Sequence, residues 1–262
     1  MINFLPDSFS TTLFLCGFAF LAGFIDSVVG GGGLIQLPAL FFLLPAASVA
    51  TVLGTNKLSS IAGTSVAVVQ YARKVNLNWR TLLPAAITAF IFSFIGARAA
   101  SLISASVMKP LILILLVAVA IYTFIKKDFG SMSRLKLEAE RERFVGVAVG
   151  LVLGLYDGFF GPGTGSFLIF IFIGIFGMDF LSASASSKVI NFATNLSAVI
   201  YFAATGNILY HFALPMAACN ILGSVVGTRL AIAKGSAFVR VLFLTVVVAI
   251  ILRFGYDIFS RP

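Results

Sequence analysis

Asp26 and Lys57 stand 31 residues apart, and the same two residue types recur with the same spacing at Asp157 and Lys188. All four lie inside long apolar runs. A charged side chain at the centre of a membrane helix costs at least about 2.5 to 3.5 kcal/mol, so such residues face a cavity or a partner. An ammonium group there can hold an anion; a carboxylate can neutralise the ammonium or accept a proton. The spacing places each aspartate and its lysine on different segments and permits Asp26 to pair with Lys57 and Asp157 with Lys188. From the residues alone, two readings stay open. Such pairs hold the bundle together, or pairing is one state of a working cycle.

Just after each aspartate comes a glycine break: Gly30-Gly31-Gly32-Gly33 in the first half, and Gly161-Pro162-Gly163-Thr164-Gly165 in the second. Each precedes a short apolar run, Leu34–Leu44 or Ser166–Gly177, that would reach only about 16 to 18 Å as a helix. Paired interruptions at matching positions point to a transport site, because unwound backbone is tolerated at membrane depth only where it lines a cavity. Short helices starting at Leu34 and Ser166 would aim free N–H groups and a positive dipole end at that cavity. With two lysines beside it, the expected ligand is a small anion. The candidate binding set is Lys57, Lys188, Gly31, Gly32, Gly33, Gly163, Thr164, Gly165, Asn56, Ser187 and Asn191. Asp26 and Asp157 are expected to compensate charge or couple to protons. The neighbouring amides and hydroxyls can equally hold helices together, and the glycines can equally serve close packing.

These residues need a membrane bundle to position them. The chain has 262 residues, 60% of them hydrophobic and 10% charged, with a mean hydropathy of +1.09. That leaves too little polar surface to coat a soluble globule. Spans are predicted over Ser10–Val29, Val49–Ala72, Leu82–Leu102, Val107–Ile125, Phe144–Phe160, Ala183–Thr205, Phe212–Ile232 and Val239–Gly255, each long enough for a hydrocarbon core about 30 Å thick. No segment alternates apolar and polar residues as a β-barrel requires. The fold class is therefore all-α and polytopic. No Lys or Arg precedes Lys57, so a cleaved signal peptide is not expected. The net charge of +9 sits between spans, which suits topology control and not nucleic-acid binding. Cys16 and Cys219 read as small hydrophobes, and His211 is the one histidine, so no metal, cofactor or enzyme activity is expected.

A constant offset of 131 residues lays the second half on the first. It matches Gly23 with Gly154, Asp26 with Asp157, Lys57 with Lys188, Asn76 with Asn207, Pro84 with Pro215 and Arg98 with Arg229. Duplication follows, with a first transmembrane repeat at 1–127, a connector at 128–143 and a second repeat at 144–262, together one membrane domain. Five segments per repeat, counting the short one, would invert the second copy; re-entrant short runs would give four-span parallel repeats instead. Cation placement favours inversion. Arg73, Lys74 and Arg80 flank one loop whose counterpart at 206–209 has none, while Lys234 with Arg229 and Arg240 marks the opposite case. The cation-rich connector is then cytoplasmic and both termini lie outside. Its glutamates, Glu138, Glu140 and Glu142, suggest a short surface helix.

The stretch Gly23-Phe24-Ile25-Asp26-Ser27 with Gly30–Gly33, the stretch Tyr156-Asp157-Gly158-Phe159-Phe160-Gly161-Pro162, and the Thr55-Asn56-Lys57 and Ser187-Lys188 pairings resemble the sulfite exporter TauE/SafE family of bacterial membrane transporters. The likeness runs over residues 13–256. It implies a multi-pass protein of the bacterial inner membrane that moves a small sulfur-containing anion such as sulfite, sulfoacetate or another organosulfonate. Its partners would be the bilayer and that anion, with a homo-oligomer left open. An anion channel is the main alternative. An intramembrane aspartyl protease also needs two membrane aspartates, but no Gly-x-Gly-Asp is present and each aspartate has a matching lysine.

Overall fold

The computed structural model describes residues 8–102 and 138–259. Among them are eight helices and no strand: α1 (Ser8–Val29), α2 (Gly33–Leu43), α3 (Val49–Ala72), α4 (Trp79–Leu102), α5 (Ala139–Phe159), α6 (Thr164–Gly174), α7 (Phe180–Ala204) and α8 (Tyr210–Phe259). The all-helical class expected from composition is what is found. The expected span Val107–Ile125 and most of the connector lie outside the described residues. Gly235, at φ 69° and ψ −165°, breaks α8 into two legs. These legs contain the two last predicted spans. Of the connector's glutamates, Glu138 is the N-cap of α5, and Glu140 and Glu142 occupy its first turn and complement its dipole.

Three described helices are both long and apolar enough to cross a membrane: 9–29, 79–102 and 210–235. Helices α3, α5 and α7, with 24, 21 and 25 residues, have the length, about 32 to 38 Å, but carry more polar residues. Those polar residues build the site. Helices α2 and α6 have 11 residues each and reach about 16 Å. They start at Gly33 and Thr164, one and two residues ahead of the expected positions.

Side-chain caps fix where α3 and α7 begin. Ser48 Oγ accepts the Thr51 N–H at 3.1 Å, and Asp179 Oδ1 accepts from Leu181 and Ser182 at 2.9 and 3.1 Å. Contacts between loops sort the chain into two ends. At one, Thr51 donates to Asn207 and Thr55 accepts the Leu209 N–H, while Ser101 meets Tyr201. At the other, Asn78 donates to Glu142, and Asn76, Asn78, Met178 and Asp179 share a recess. Helix α1 runs alongside the first leg of α8 in the same direction, Phe20 against Gly223 and Phe24 against Gly227. Helix α5 runs alongside α4, its Gly146, Gly150, Gly154 and Gly158 facing Thr81, Ala85, Ala89 and Ser93. Thus α1 and α5 point opposite ways, and each packs on a helix from the other half of the chain.

Lipid supplies no hydrophobic drive between helices, so close packing and polar links carry the association. A Cβ on Gly154 would stand 2.6 Å from Ala89 Cα. Serine hydroxyls add links between helices: Ser93 to Thr194 O, Ser197 to Phe90 O and Ser224 to Gly63 O, at 2.9, 2.6 and 2.7 Å. Each contributes roughly 0.6 kcal/mol. Two buried apolar clusters form, one around Tyr71, Leu82, Phe172 and Phe176, the other around Leu53, Phe160, Phe202 and Phe212.

Candidate functional site

Both glycine breaks are sharp reversals. Gly30, Gly31, Gly161 and Gly163 take φ of 73°, 91°, 95° and 84°, a region that side chains with a Cβ avoid. Each long helix stops there, and the short helix returns toward the end its long helix came from. The two breaks then meet. A Cβ on Gly165 would lie 2.7 Å from Gly30 Cα and 2.9 Å from Asn191 Nδ2, and one on Gly33 would lie 3.3 Å from Pro162 Cα. Ser166 Oγ donates to Val29 O across the same junction at 3.2 Å. Only glycine permits the two backbones to approach this closely.

The ion pairs run between halves. Lys57 Nζ lies 2.6 Å from Asp157 Oδ2, with side chains 3% and 6% exposed. Lys188 Nζ lies 3.2 Å from Asp26 Oδ2, with side chains 0% and 24% exposed. The pairing permitted by spacing, Asp26 with Lys57 and Asp157 with Lys188, is therefore not the one formed. The physical reason is the crossing: each break carries its aspartate past the other break, toward the lysine helix of the opposite half. Neither aspartate is paired with the other, as an aspartyl protease dyad would need.

Helix termini complete the cluster. The Gly32 N–H points at Asp26 Oδ1 at 3.4 Å, so this carboxylate sits at the positive end of α2. A Cβ at Gly161 would be 3.2 Å from Lys57 Nζ, which seats the ammonium against the second break. Thr164 is not free to serve a ligand in this conformation, since its hydroxyl donates to Gly161 O at 2.7 Å. Ser187 likewise donates to Ser184 O within its own helix at 2.7 Å. Asn56 and Asn191 differ: both are buried, and the Oδ1 of each has no hydrogen-bond partner. Unpartnered buried polar atoms cost about 1 to 3 kcal/mol, so their presence near two lysines needs an explanation.

Three residues outside the predicted set belong beside it. Gln36, in the first turn of α2, is 0% exposed; its Oε1 accepts from Asn220 Nδ2 at 3.2 Å, and its Nε2 has no partner. Asn220 of α8 is wedged between Gly23 of α1 and Gly63 of α3. Ser59 Oγ, one turn from Gly63 on α3, is buried and also unpartnered. The offset of 131 pairs Gln36 with Phe167 and Asn220 with Ala89, so the repeat does not reveal them. An amide within an apolar run was the available signal.

Chemically, the arrangement is a reservoir of positive charge held under carboxylates. Two ammonium groups, two helix N-termini and several idle amide and hydroxyl groups converge where backbone is unwound. An entering anion can take over either lysine by displacing its aspartate. Among the described residues no cluster of His, Cys, Asp and Glu suited to a metal is found.

Comparison with known proteins gives a consistent result. The family described as Sulfite exporter TauE/SafE matches over residues 15–254. A Sinorhizobium protein described as probable membrane transporter protein ORF9 is 36% identical over 95% of this chain and 94% of its own length. A Haemophilus influenzae probable membrane transporter protein is 35% identical over 87% of each chain. The Escherichia coli K12 probable membrane transporter protein YfcA is 32% identical over 91% of this chain and 87% of its own. No solved structure matches significantly.

Proposed function

This chain belongs to the sulfite exporter TauE/SafE family of membrane transporters, and on that premise we propose that it is a secondary carrier of a small sulfur-containing oxyanion in the bacterial inner membrane. The observation that carries the proposal is the crossed pair of ion pairs at the junction of the two glycine breaks. A static scaffold would be served better by well-packed apolar residues, because a buried ion pair gains little net stability over them. A carrier, by contrast, needs positive charge that is masked while empty and available when cargo arrives.

In this reading the halves form an inverted pair. Support comes from the opposite directions of α1 and α5, from the equal lengths of α2 and α6, and from pairs that map onto one another under the 131-residue offset. The anion binds between the breaks, with Lys57 and Lys188 as counter-charges and the α2 and α6 N-termini as donors. Asn56, Asn191 and Gln36 turn toward it. Asp26 or Asp157, once displaced by the anion, gives a route for coupling to the proton gradient. The looser, more exposed Lys188–Asp26 pair is the one that opens first.

Sulfite flux into proteoliposomes tests this. Wild type should give saturable uptake that responds to an imposed pH gradient, and Lys57→Ala plus Lys188→Ala should reduce it to the level of empty vesicles. Wild-type flux in that double variant would remove the binding role of the lysines. Flux that rises linearly with sulfite and ignores the pH gradient would identify a pore.

A further inference from the structure

A recess of about 670 Å³ opens between α3 and α8, and none of the four ion-pair residues lines it. Its lining is of two kinds. Arg73, Lys74 and Arg229 supply three cations, with Gln70 and Ser65 between them; Val66, Val69, Ile232 and Ala233 supply an apolar wall. The three cations are exposed, and among the described residues none has a carboxylate within 4 Å. They come from the turn after α3 and from α8, more than 150 residues apart in sequence, so the tertiary fold gathers them. Like charges gathered at one recess repel one another, which a bound anion would relieve.

The location narrows which anion. Trp79, the single tryptophan, is half-exposed at the start of α4, at the same end of the molecule as the loop carrying Arg73 and Lys74. Tryptophan favours the headgroup level of a bilayer, and cation-rich loops favour the cytoplasmic face. A soluble oxyanion would make no use of the apolar wall, including Val69, which is 49% exposed. An amphiphile uses both halves of the lining. We propose that this recess holds an anionic phospholipid, its phosphate on Arg73, Lys74 and Arg229 and an acyl chain along Val66, Val69 and Ile232. Basic pockets between membrane helices at the cytoplasmic side have this chemistry. A lipid seated here ties the end of α3, the helix of Lys57, to α8 just ahead of the break at Gly235. The inference rests on the membrane reading and not on the identity of the cargo.

Native mass spectrometry of the purified full chain tests it, with phosphatidylglycerol and phosphatidylcholine of the same acyl composition as probes. Wild type is expected to retain phosphatidylglycerol selectively. Each of Arg73→Gln, Lys74→Gln and Arg229→Gln should lower that selectivity about 5-fold, from roughly 1 kcal/mol per cation near the surface. Arg98→Gln, outside the recess, should leave it unchanged, and the single variants keep the test valid where the triple variant does not fold. Equal retention of the two lipids by wild type, or unchanged selectivity in all three variants, would overturn the proposal. Displacement of phosphatidylglycerol by millimolar inorganic phosphate would overturn it in favour of a soluble oxyanion site. Sulfite flux measured in parallel keeps a failure here distinct from a failure of the carrier reading.

Discussion

Replacing Asp157 with asparagine removes one charge from the tighter ion pair while keeping the side-chain volume. Lys57 then remains 3% exposed with no counter-charge. At the 2.6 Å separation, Coulomb attraction at an effective dielectric near 20 is about 6 kcal/mol, and at the 3.2 Å of the Lys188–Asp26 pair it is about 5. Desolvation offsets much of this, and breaking a buried pair by removing one partner costs about 3 to 5 kcal/mol. Asp157→Asn should therefore destabilise by that amount. Asp26→Asn should cost about half as much, because its side chain is 24% exposed and water already screens the pair.

A double-mutant cycle separates the crossed arrangement from the pairing that spacing alone permits. With Lys57→Met and Asp157→Asn, the coupling measured by chemical unfolding in detergent micelles should reach at least about 2 kcal/mol. With Lys57→Met and Asp26→Asn, the two effects should add to within about 0.5 kcal/mol. Coupling of Lys57 to Asp26 in place of Asp157 would refute the crossed geometry. Equal costs for the two asparagine variants would refute the argument from burial.

Other positions respond in ways the geometry specifies. Gly165→Ala places a methyl group 2.7 Å from Gly30 Cα, so it should push the breaks apart and cost at least about 2 kcal/mol of stability, read as a lowered thermal midpoint. Gln36→Leu keeps the volume but deletes the idle Nε2 donor and strands Asn220; the KM for sulfite flux should rise about 10-fold while folding survives. A thermal midpoint that falls without any change in KM would assign Gln36 to packing alone.

The four charges of the candidate site were legible in residue types, because charge inside apolar runs is rare enough to be informative. Asp26, Lys57, Asp157 and Lys188 stood out for that reason, and the breaks stood out because glycine clusters interrupt helices. Asn56 and Asn191 keep unpartnered oxygens, acceptors that an oxyanion cannot satisfy, so only the amide N–H groups of these residues suit an anion. Thr164 and Ser187 instead spend their hydroxyls on nearby carbonyls, a local bond that residue type cannot distinguish from ligand binding. Gln36 and Asn220 escaped notice because they break the repeat that located everything else.

Sequence alone determined the solvent, because long apolar runs demand a bilayer, and its constant offset supplied the expectation of a duplication. It also singled out the charged groups within apolar runs, since residue type and neighbouring sequence are enough for that. Which lysine meets which aspartate was decided only in three dimensions. Spacing along the chain constrains neighbours within a half, whereas the pairs form between halves, where the close approach of Gly30 and Gly165 sets the geometry. The same holds for Arg73, Lys74 and Arg229, ordinary flanking cations in one dimension and one charged recess once α3 and α8 pack.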